Sequence, residues 1–500
     1  MKSKCLIITI LFIFSFLLTI QAQETFLKIY PSPEDKKINS IVETDDNHLI
    51  LCGVERTNSG TIERKGTLLK ISFSGELTNS TAYDFIAGNS GFAELINPSN
   101  TSGSYLLLGA EDSTGDNKSY NSVFIHSIDN ELNIIERRNY GLWPDSVNNP
   151  WDFEILNDTT AYILSFFNTP NASLLYNYSI IKAHLVNGEY DYFIADDTNN
   201  KAVTSLIIDE TNEIVKVNYR IFYLTMYPWN PIANISYDLS RVEVVMPENE
   251  FFSQTKMAKK SDSTYLLSAA FIDDNTTQRD LGLAEYNLQD SLLKQIKFPG
   301  GNDSVTYPGS GRKNILVTSD YIWVMGWYNC LTSMSPCQYE PTYIMLNKLT
   351  HDLELIEQIF YGGDGVYNPN DIIETSDNHI VVVGDFFDPQ AVPYNCHFDP
   401  FVLKVNSEGL IVNAQNNELP LAQEAIVFPN PGSYYLQVKL AVQHKAATLQ
   451  LFDLNGRLIY AEEITTDMQR INTSTLPAGI YPYRIYAKDR VIGSGKWVKE

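Results

Sequence analysis

Short stretches of alternating or uniformly apolar residues, separated by clusters of Gly, Asn, Asp and Ser, recur along almost the whole chain. This period-two alternation predicts β-strands, and no segment shows convincing helical periodicity. The clearest pattern occurs twice: residues 40–53 (SIVETDDNHLILCG) match residues 371–384 (DIIETSDNHIVVVG) without a gap. The chain is therefore predicted to be all-β and to contain an internal repeat.

Weaker copies of this repeat lie between the two clear ones, and each has an apolar second strand. Such a strand cannot be buried within its own unit, so it must pack against neighbouring units. The second strands of the weaker copies are Ser104–Gly109, Ala161–Ser165, Thr264–Ser268 and Tyr321–Gly326, and a degenerate unit covers Val203–Val217.

The length of the repeat favours one architecture. A unit of roughly 50–60 residues with about four strands is typical of a β-propeller blade. About seven such units fit between Lys28 and Asn416. The N-terminal run Phe26–Tyr30 resembles the strand at Gln358–Tyr361, so we expect it to complete the last blade and close the ring. A solenoid or two stacked sandwiches are the alternatives.

The pattern changes after about residue 424, where the predicted strands are short and carry apolar side chains on both faces. Asn455-Gly456 supplies the positive-φ positions of a two-residue hairpin turn, and Pro477–Gly479 forms a second turn. Pro482 lies inside the long strand that follows and cannot donate to a ladder, so we expect an edge strand or a bulge there. Residues 424–500 are therefore predicted to form a small immunoglobulin-like β-sandwich.

Four motifs in this C-terminal region agree in order and spacing with a known family. They are VFPNP at 427–431, DLNGR at 453–457, LPAGIY at 476–481 and GKWV at 495–498. Together they resemble the type A C-terminal sorting domain of cargo for the type IX (Por) secretion system of Bacteroidetes-type bacteria. The resemblance implies export through that machinery, which would be a partner of this domain. An ordinary immunoglobulin-like accessory domain is the alternative. The motif residues are Pro429, Asn430, Pro431, Asp453, Gly456, Gly479, Tyr481, Gly495 and Lys496.

The N-terminus has the pattern of a secretory signal peptide. Met1–Lys4 is basic, residues 5–20 are almost uninterruptedly apolar, and Ala22 allows cleavage before Gln23. Cys5 stands at the start of the apolar run instead of after it and is removed with it, so it does not indicate a lipoprotein. No later apolar stretch is long enough to span a bilayer. Both termini therefore predict Sec export through the periplasm, followed by secretion or display on the outer cell surface.

These features divide the chain into four parts: a signal peptide (1–22), a β-propeller-like repeat domain (23–416), a linker (417–423) and the sorting domain (424–500). The formal net charge is −24, and removal of Lys2 and Lys4 with the signal peptide makes it −26. Such an acidic surface repels nucleic acid and anionic lipid, so neither is expected as a partner. Hydrophobic content of 44% is ample for a packed core.

Catalytic and metal-binding motifs are not found in the sequence. The histidines lack zinc-ligand spacing, and His48 and His379 occupy the same position of a repeated turn, which predicts a structural role. No nucleophile elbow or phosphate-binding glycine loop is present. We therefore assign no catalytic residue, no metal ligand and no cofactor; Asp273-Asp274-Asn275 offers oxygen ligands for calcium, but no complete calcium-binding loop is present. Loop acids that could act as a glycosidase pair are Asp273, Asp274, Asp364, Asp385 and Asp388, but most acids in so acidic a chain are solvated.

Four cysteines remain after removal of the signal peptide. Cys330 and Cys337 flank one loop and are the favoured disulfide, which would stabilise the fold by roughly 2–3 kcal/mol. Cys396 occupies a position like that of Cys337, so a Cys337–Cys396 bridge is the rival pairing. Cys52 lies in a predicted strand and is expected to be a buried thiol.

Large aromatic side chains suggest where a ligand could bind. Trp229 lies in a Pro-containing loop, and Trp327 and Tyr328 lie at the end of a predicted strand. Exposed rings stack on sugars or contact peptides over a large apolar area. Core packing is the alternative, above all for Trp323. The sequence thus predicts a secreted, non-enzymatic β-propeller that binds an extracellular glycan or protein; a secreted polysaccharide- or peptide-degrading hydrolase or lyase is the alternative.

Overall fold

The computed structural model describes residues 25–499 apart from gaps that fall mostly between strands. Every regular element among the described residues is a β-strand, as the alternation predicts. The predicted signal peptide lies outside them. The gaps are 58–62, 84–90, 100–102, 112–121, 142–146, 169–176, 196–199, 223–229, 248–250, 273–278, 299–305, 309–312, 329–340, 390–396, 412–422, 442, 455 and 489.

The described residues before the sandwich form seven antiparallel sheets, which we call blades one to seven in chain order. The first four blades each contain four strands paired in sequence order. They are β2 (Asp35–Glu43), β3 (His48–Thr57), β4 (Glu63–Ser72) and β5 (Leu77–Tyr83) in blade one; β6 (Gly91–Pro98), β7 (Ser104–Glu111), β8 (Ser122–Asp129) and β9 (Ile134–Gly141) in blade two; β10 (Val147–Asn157), β11 (Thr160–Asn168), β12 (Asn177–His184) and β13 (Tyr190–Ile194) in blade three; and β14 (Asn200–Asp209), β15 (Ile214–Phe222), β16 (Ile232–Ser236) and β17 (Val242–Val245) in blade four.

The remaining blades follow the same plan with two variations. In blade six the first strand is split into two short pieces that both pair with the second strand. Blade seven takes its outermost strand from the N-terminus. The strands are β18 (Phe251–Lys259), β19 (Thr264–Ile272), β20 (Arg279–Asn287) and β21 (Leu292–Phe298) in blade five; β22 (Thr306–Pro308), β23 (Ile315–Val317), β24 (Ile322–Tyr328), β25 (Tyr343–Leu349) and β26 (Leu355–Gly362) in blade six; and β27 (Val366–Glu374), β28 (Ile380–Phe387), β29 (Asp399–Val405) and β1 (Phe26–Ile29) in blade seven.

The first strands of neighbouring blades contact one another around a closed ring. β2 contacts β6, the contacts continue through β10, β14, β18 and β23 to β27, and β27 contacts β2. The sheets therefore surround a common axis, which is the arrangement of a β-propeller. β1 pairs antiparallel with β29, with Phe26 opposite Lys404 and Ile29 opposite Phe401. This pairing confirms that the N-terminal run completes the last blade.

Apolar second strands pack between blades, as the repeat predicts. In blade one, Ile50 and Cys52 of β3 are fully buried in a cluster with Leu107 and Phe124 of blade two. Trp323 of blade six lies in a cluster with Val382 of blade seven. Each blade thus buries its apolar face against the next one, because no blade can bury that face alone.

The repeated Asp-Asn-His segment forms the turn between the first and second strands. Asn47 and Asn378 have φ angles of 59° and 60°, a conformation that Asn tolerates better than most residues. His48 Nδ1 and His379 Nδ1 each lie 2.9 Å from the carbonyl oxygen two residues earlier. Both histidines therefore contact their own turn in the same way in the two copies.

A buried ionic network joins blade four to blade five. Lys216 Nζ lies 2.9 Å from Asp290 Oδ1, and the two side chains are 0% and 1% exposed. Asn234 donates to Asp290 Oδ2 at 2.7 Å, and the Tyr265 hydroxyl donates to Asp290 Oδ1 at 2.8 Å. Because both carboxylate oxygens accept hydrogen bonds, the buried charge of Asp290 is well compensated.

The C-terminal region forms two antiparallel sheets that pack face to face. Leu436 of one sheet and Leu449 of the other are fully buried in the cluster between them, together with Trp497. This is the predicted small β-sandwich. Its first sheet contains β30 (Ala425–Phe428), β31 (Tyr435–Leu440) and β34 (Met468–Asn472), and its second contains β33 (Leu458–Ile464), β32 (Ala447–Phe452), β35 (Gly479–Ala487) and β36 (Arg490–Lys499).

Two local predictions for the sandwich differ from the structure. Pro482 lies in β35, which is an inner strand, but β32 pairs with β35 only over Tyr483–Tyr486. Pro482 therefore lies outside the β32–β35 ladder, and its missing N–H group removes no donor from that ladder, although Pro482 is opposite Lys496 in the β35–β36 ladder. The turn after β32 is wider than a two-residue hairpin: the Asp453 N–H donates to the Arg457 carbonyl at 2.9 Å, and Gly456 has a φ of 79°.

Candidate functional site

The innermost strand of a blade carries a break in its pairing register near the middle, and six of the seven described blades show one. Each break leaves one residue unpaired, or two in blade five. A bulge of this kind bends its strand and redirects the side chain that follows. The residues directly after the breaks are Ser40, Leu95, Asp152, Ser205, Lys256 and Asp371.

Aspartates after two of these breaks tie their blade to the next one. Asp371 Oδ2 accepts hydrogen bonds from Ser40 Oγ at 2.8 Å and from the next backbone N–H at 3.1 Å. Asp152 Oδ2 accepts from Ser205 Oγ at 3.2 Å and from the next backbone N–H at 2.9 Å. Ser205 Oγ in turn accepts from the Met257 N–H at 3.2 Å. The same geometry thus recurs around the channel.

The inner strands enclose a cavity of about 320 Å³ in the central channel. Its charged lining consists of Asp152, Glu154, Asp371, Lys259 and Lys313. A volume of this size is at the lower end of small-molecule sites, and a mixed charged lining suits a polar ligand. The described residues contain no group of three or more His, Cys, Asp or Glu side chains placed to hold a metal ion.

The channel changes the proton affinity of its charged groups. Burial raises the pKa of Asp152 to about 6, although hydrogen bonds from blade four and the charge of Lys256 act to lower it. Glu154 remains accessible to water within the channel. Desolvation by the surrounding protein and the charge of Asp152 nevertheless raise its pKa to about 7, and the charge of Lys313 acts to lower it. Burial lowers the pKa of Lys256 to about 8, with Asp152 opposing. Glu154 is therefore placed to exchange a proton near neutral pH.

The junction between blades seven and one contains a second buried carboxylate. Asp385 accepts from the Ile38 N–H at 2.7 Å and from the side-chain amides of Asn368 and Asn370 at 3.2 Å each. It lies in β28 and is 1% exposed, so the prediction of a solvated loop acid is wrong for Asp385. Burial raises its pKa to about 6, with the Lys37 charge opposing.

Two of the other candidate loop acids, Asp364 and Asp388, lie just beyond the same end of the β27–β28 ladder. Asp364 is exposed and accepts a hydrogen bond from the Tyr367 hydroxyl at 2.9 Å. Asp388 is half-buried after the end of β28. Asp273 and Asp274, and with them the candidate calcium segment, lie outside the described residues.

Of the candidate binding aromatics, Trp327 is half-buried at the end of β24. It shares a strand face with Trp323 and Met325, which pack against blade seven. Its Nε1 is buried and has no hydrogen-bond partner among the described residues. Trp327 therefore combines a partly accessible ring with a buried indole N–H at the end of β24.

Tyr328 is the adjacent residue, and the prediction that it binds a ligand is wrong. Its side chain is 0% exposed. The ring packs edge to face against Tyr343, Phe360 and Phe428 at centroid distances of 6.3, 5.1 and 5.5 Å. Alternation along β24 turns it away from Trp327 and into this aromatic cluster.

Several predicted residues lie outside the described residues. They are Trp229, both members of the favoured disulfide, Cys330 and Cys337, and the rival partner Cys396. The disulfide therefore stays a prediction. Cys52 is buried in β3, as its strand position predicts.

The sorting motifs at the two ends of the sandwich lie side by side. Asn430 Nδ2 donates to the Lys496 carbonyl at 2.7 Å, and Asn430 Oδ1 accepts from the Val498 N–H at 2.8 Å. The Trp497 indole N–H donates to the Pro429 carbonyl at 2.9 Å. Residues 429–431 are thus held against β36, the last strand of the sandwich, by hydrogen bonds from the side chains of Asn430 and Trp497.

The two middle motifs form turns. Asp453 Oδ1 accepts from the Arg457 N–H at 2.9 Å, which holds the wide turn that contains Gly456. Gly479 begins β35, and the Tyr481 hydroxyl donates to the Pro477 carbonyl at 2.6 Å. The residues of these two motifs therefore stabilise turns within the sandwich. Pro431, Gly495 and Lys496 also line a crevice of about 380 Å³ between the sandwich and blade six.

The channel residues were not predicted from the sequence, although the sequence contains a pattern that marks two of them. Asn149-Pro150-Trp151-Asp152 and Asn368-Pro369-Asn370-Asp371 share the pattern Asn-Pro-x-Asp, and both Pro-x-Asp steps span a register break. Proline inside a predicted strand indicates a bulge or an edge. The repeated aspartate two residues later could therefore have been assigned to the inner strand.

Comparison with known proteins identifies the C-terminal domain. Residues 426–500 match the family described as Secretion system C-terminal sorting domain. The match confirms a type IX sorting domain, so the protein is exported and is secreted or displayed on the cell surface. No curated protein matches the chain by sequence. No membrane-crossing helix is found in the part of the chain that the structure describes.

Solved propeller structures resemble the body only distantly. The β-propeller domain of the trilobed protease from Pyrococcus furiosus is 9% identical, with a TM-score of 0.42 over 76% of this chain and 99% of that chain. Polysaccharide lyase Uly1 is 9% identical, with a TM-score of 0.42 over 78% and 93%. The periplasmic gluconolactonase PpgL of Pseudomonas aeruginosa is 9% identical, with a TM-score of 0.44 over 72% and 97%. The propeller fold of this chain is established by its own strand pairing.

Proposed function

We propose that the propeller is a non-enzymatic binding or adhesion module that acts on an extracellular glycan or protein after type IX export. The observation that carries this proposal is the use of the channel aspartates. Asp152 and Asp371 each accept two hydrogen bonds from the neighbouring blade. A carboxylate that holds the ring together in this way is poorly suited to act as a nucleophile or base.

The ligand would bind at the end of the propeller where β24 ends, beside Trp327. Trp327 supplies a half-buried aromatic ring there. Rings of this kind contribute large contact area at low entropic cost and dominate many binding interfaces. The acidic charge of −24 favours neutral or cationic ligands over polyanions.

A glycan array and a panel of extracellular proteins, probed with the mature protein, would test this proposal. We expect a ligand whose affinity falls about 10-fold or more in Trp327→Ala, a typical loss for a central aromatic contact. Tyr192→Ala is the matched control, because Tyr192 is an aromatic residue 46% exposed on the outer strand of blade three. Equal loss in both variants, or no loss in Trp327→Ala, would contradict the assignment of Trp327.

A hydrolase or lyase is the second candidate, and Glu154 is the observation that favours it. Its pKa of about 7 is suited to a general acid or base, and it lines the channel cavity. Incubation of the mature protein with polysaccharides and peptides, followed by detection of new reducing or amino ends, separates the two candidates. Products that disappear in Glu154→Gln but persist in the control Glu354→Gln, an exposed turn residue, would replace the binding proposal with an enzymatic one.

A further inference from the structure

The first strand of the sandwich is buried on both of its faces. Ala425 and Val427 point into the core of the sandwich. Ile426 and Phe428 alternate with them and are 0% and 3% exposed, but they belong to the apolar cluster of blades five and six. Strands buried on both faces are uniformly apolar, and this one reads Ala-Ile-Val-Phe.

The next strand of the same sheet is also covered on its outer face. Leu436, Val438 and Leu440 of β31 lie in the core of the sandwich. The residues between and after them, Gln437, Lys439 and Ala441, are only 3%, 3% and 0% exposed. Ala441 belongs to the cluster of blades five and six. The outer faces of β30 and β31 are therefore largely removed from water, whereas Arg470 and Asn472 of β34 remain exposed.

On the propeller, the surface that receives this sheet lies between blades five and six. Phe428 packs edge to face on Tyr328 at 5.5 Å. The Tyr343 hydroxyl donates to the Val427 carbonyl at 3.4 Å. Phe360 and Gln423 exchange two backbone hydrogen bonds of 3.0 and 2.9 Å, so the segment entering the sandwich extends the edge of blade six.

These contacts have the character of a protein interior: apolar residues from both domains share one cluster, and backbone groups pair across the boundary. A permanent interface has this apolar composition, whereas transient interfaces are smaller and more polar. The covalent connection at 412–422 adds only effective concentration to an interface that is already apolar and closely packed.

We propose that the groove between blades five and six is a binding surface for the chain's own sorting domain and holds that domain when the connection between them is cut. Any cut at 412–422 then leaves the propeller attached to the sorting domain. Whatever retains the sorting domain at the cell surface would also retain the propeller. This proposal concerns attachment and is independent of the ligand proposed above.

The test uses the full mature chain with a specific protease site inserted between residues 412 and 422. After complete cleavage, we expect both fragments to elute together from a size-exclusion column at the volume of the uncut protein. In Phe428→Ala the fragments should dissociate at least about 10-fold more readily upon dilution, since a large buried ring is lost from the interface. Ile480→Ala is the matched control: Ile480 is 45% exposed on the other sheet of the sandwich, and its fragments should remain together.

Separation of the cut fragments at micromolar concentration would overturn the proposal. A second measurement on the uncut chain keeps it open to refutation if cleavage is incomplete. Amide hydrogen exchange should show protection at Phe360 and Gln423 that approaches the protection of the blade cores. Rapid exchange at both residues, with protected cores in both domains, would show that the domains move apart and would equally overturn it.

Discussion

Asp290→Asn is the substitution whose effect the structure specifies most sharply. Asn keeps the shape of the side chain and tolerates the left-handed backbone of this position, where φ is 62°. It removes only the charge. Lys216, whose side chain is 0% exposed, would then be a buried cation without its carboxylate at 2.9 Å. The new amide group would also meet one of the donors, Asn234 or Tyr265, that now points at a carboxylate oxygen.

The expected loss is about 3–5 kcal/mol of unfolding free energy, because breaking one half of a buried ion pair leaves an uncompensated charge. Asp262→Asn is the control. Asp262 also pairs with a lysine, Lys259, at 3.1 Å, but the two side chains are 94% and 42% exposed. Exposed pairs contribute about 0–1 kcal/mol, so little change is expected there.

Equilibrium urea unfolding of the mature protein, followed by tryptophan fluorescence, measures the difference. The double variant Lys216→Met with Asp290→Asn should lose less than Asp290→Asn alone, because the unpaired cation is gone. A loss below about 1 kcal/mol in Asp290→Asn, or a double variant no more stable than that single one, would show that water or another group compensates Lys216.

Three further predictions concern the blade junction, the sorting motif and the loop cysteines. Burial raises the pKa of Asp385 to about 6, so its contribution to stability is complete below its unfolded pKa of about 4 and is lost as the pH rises through 6. The free energy of unfolding should therefore fall between pH 4 and pH 7, and this fall should be about 2 kcal/mol smaller in Asp385→Asn than in the unsubstituted protein. An equal fall in both proteins would contradict this prediction. Asn430→Ala removes the two hydrogen bonds to β36 and should lower the stability of the sandwich by about 1–3 kcal/mol. Cell fractionation should show this variant retained in the periplasm, as is expected for deletion of residues 424–500. Normal secretion of the deletion variant would refute the need for the sorting domain. Peptide mapping after thiol alkylation should find Cys330 joined to Cys337, and an alkylated Cys330 would exclude that bridge.

Much of the fold could be predicted from local patterns because β-strands and turns are encoded by near neighbours in the chain. The copies at 40–53 and 371–384 form the same two strands and turn in blades one and seven. The run at Phe26 pairs with β29 as expected. The sorting motifs could also be read directly, since their residues determine turns and caps within a small domain.

The site is different, because its residues come from several blades. Asp385 has the sequence surroundings of a loop acid, and the donors that satisfy it, including the Ile38 N–H of another blade, are distant from it in the sequence. The pKa values of Asp152 and Glu154 are raised by desolvation, and for Glu154 also by the Asp152 charge, in a channel that exists only when the ring is closed. No local pattern contains that information.

Trp327 and Tyr328 show most clearly which features the local sequence determines and which depend on tertiary packing. By itself the sequence determined an exported all-β protein with a repeated, blade-like body and a type IX sorting domain, because strand alternation, turn chemistry and short motifs are local. It could not distinguish two adjacent aromatic residues at the end of one strand. The tertiary structure leaves Trp327 partly exposed and covers Tyr328 with Phe428. The reason is physical: exposure depends on what packs against a side chain, and Phe428 arrives from a different domain.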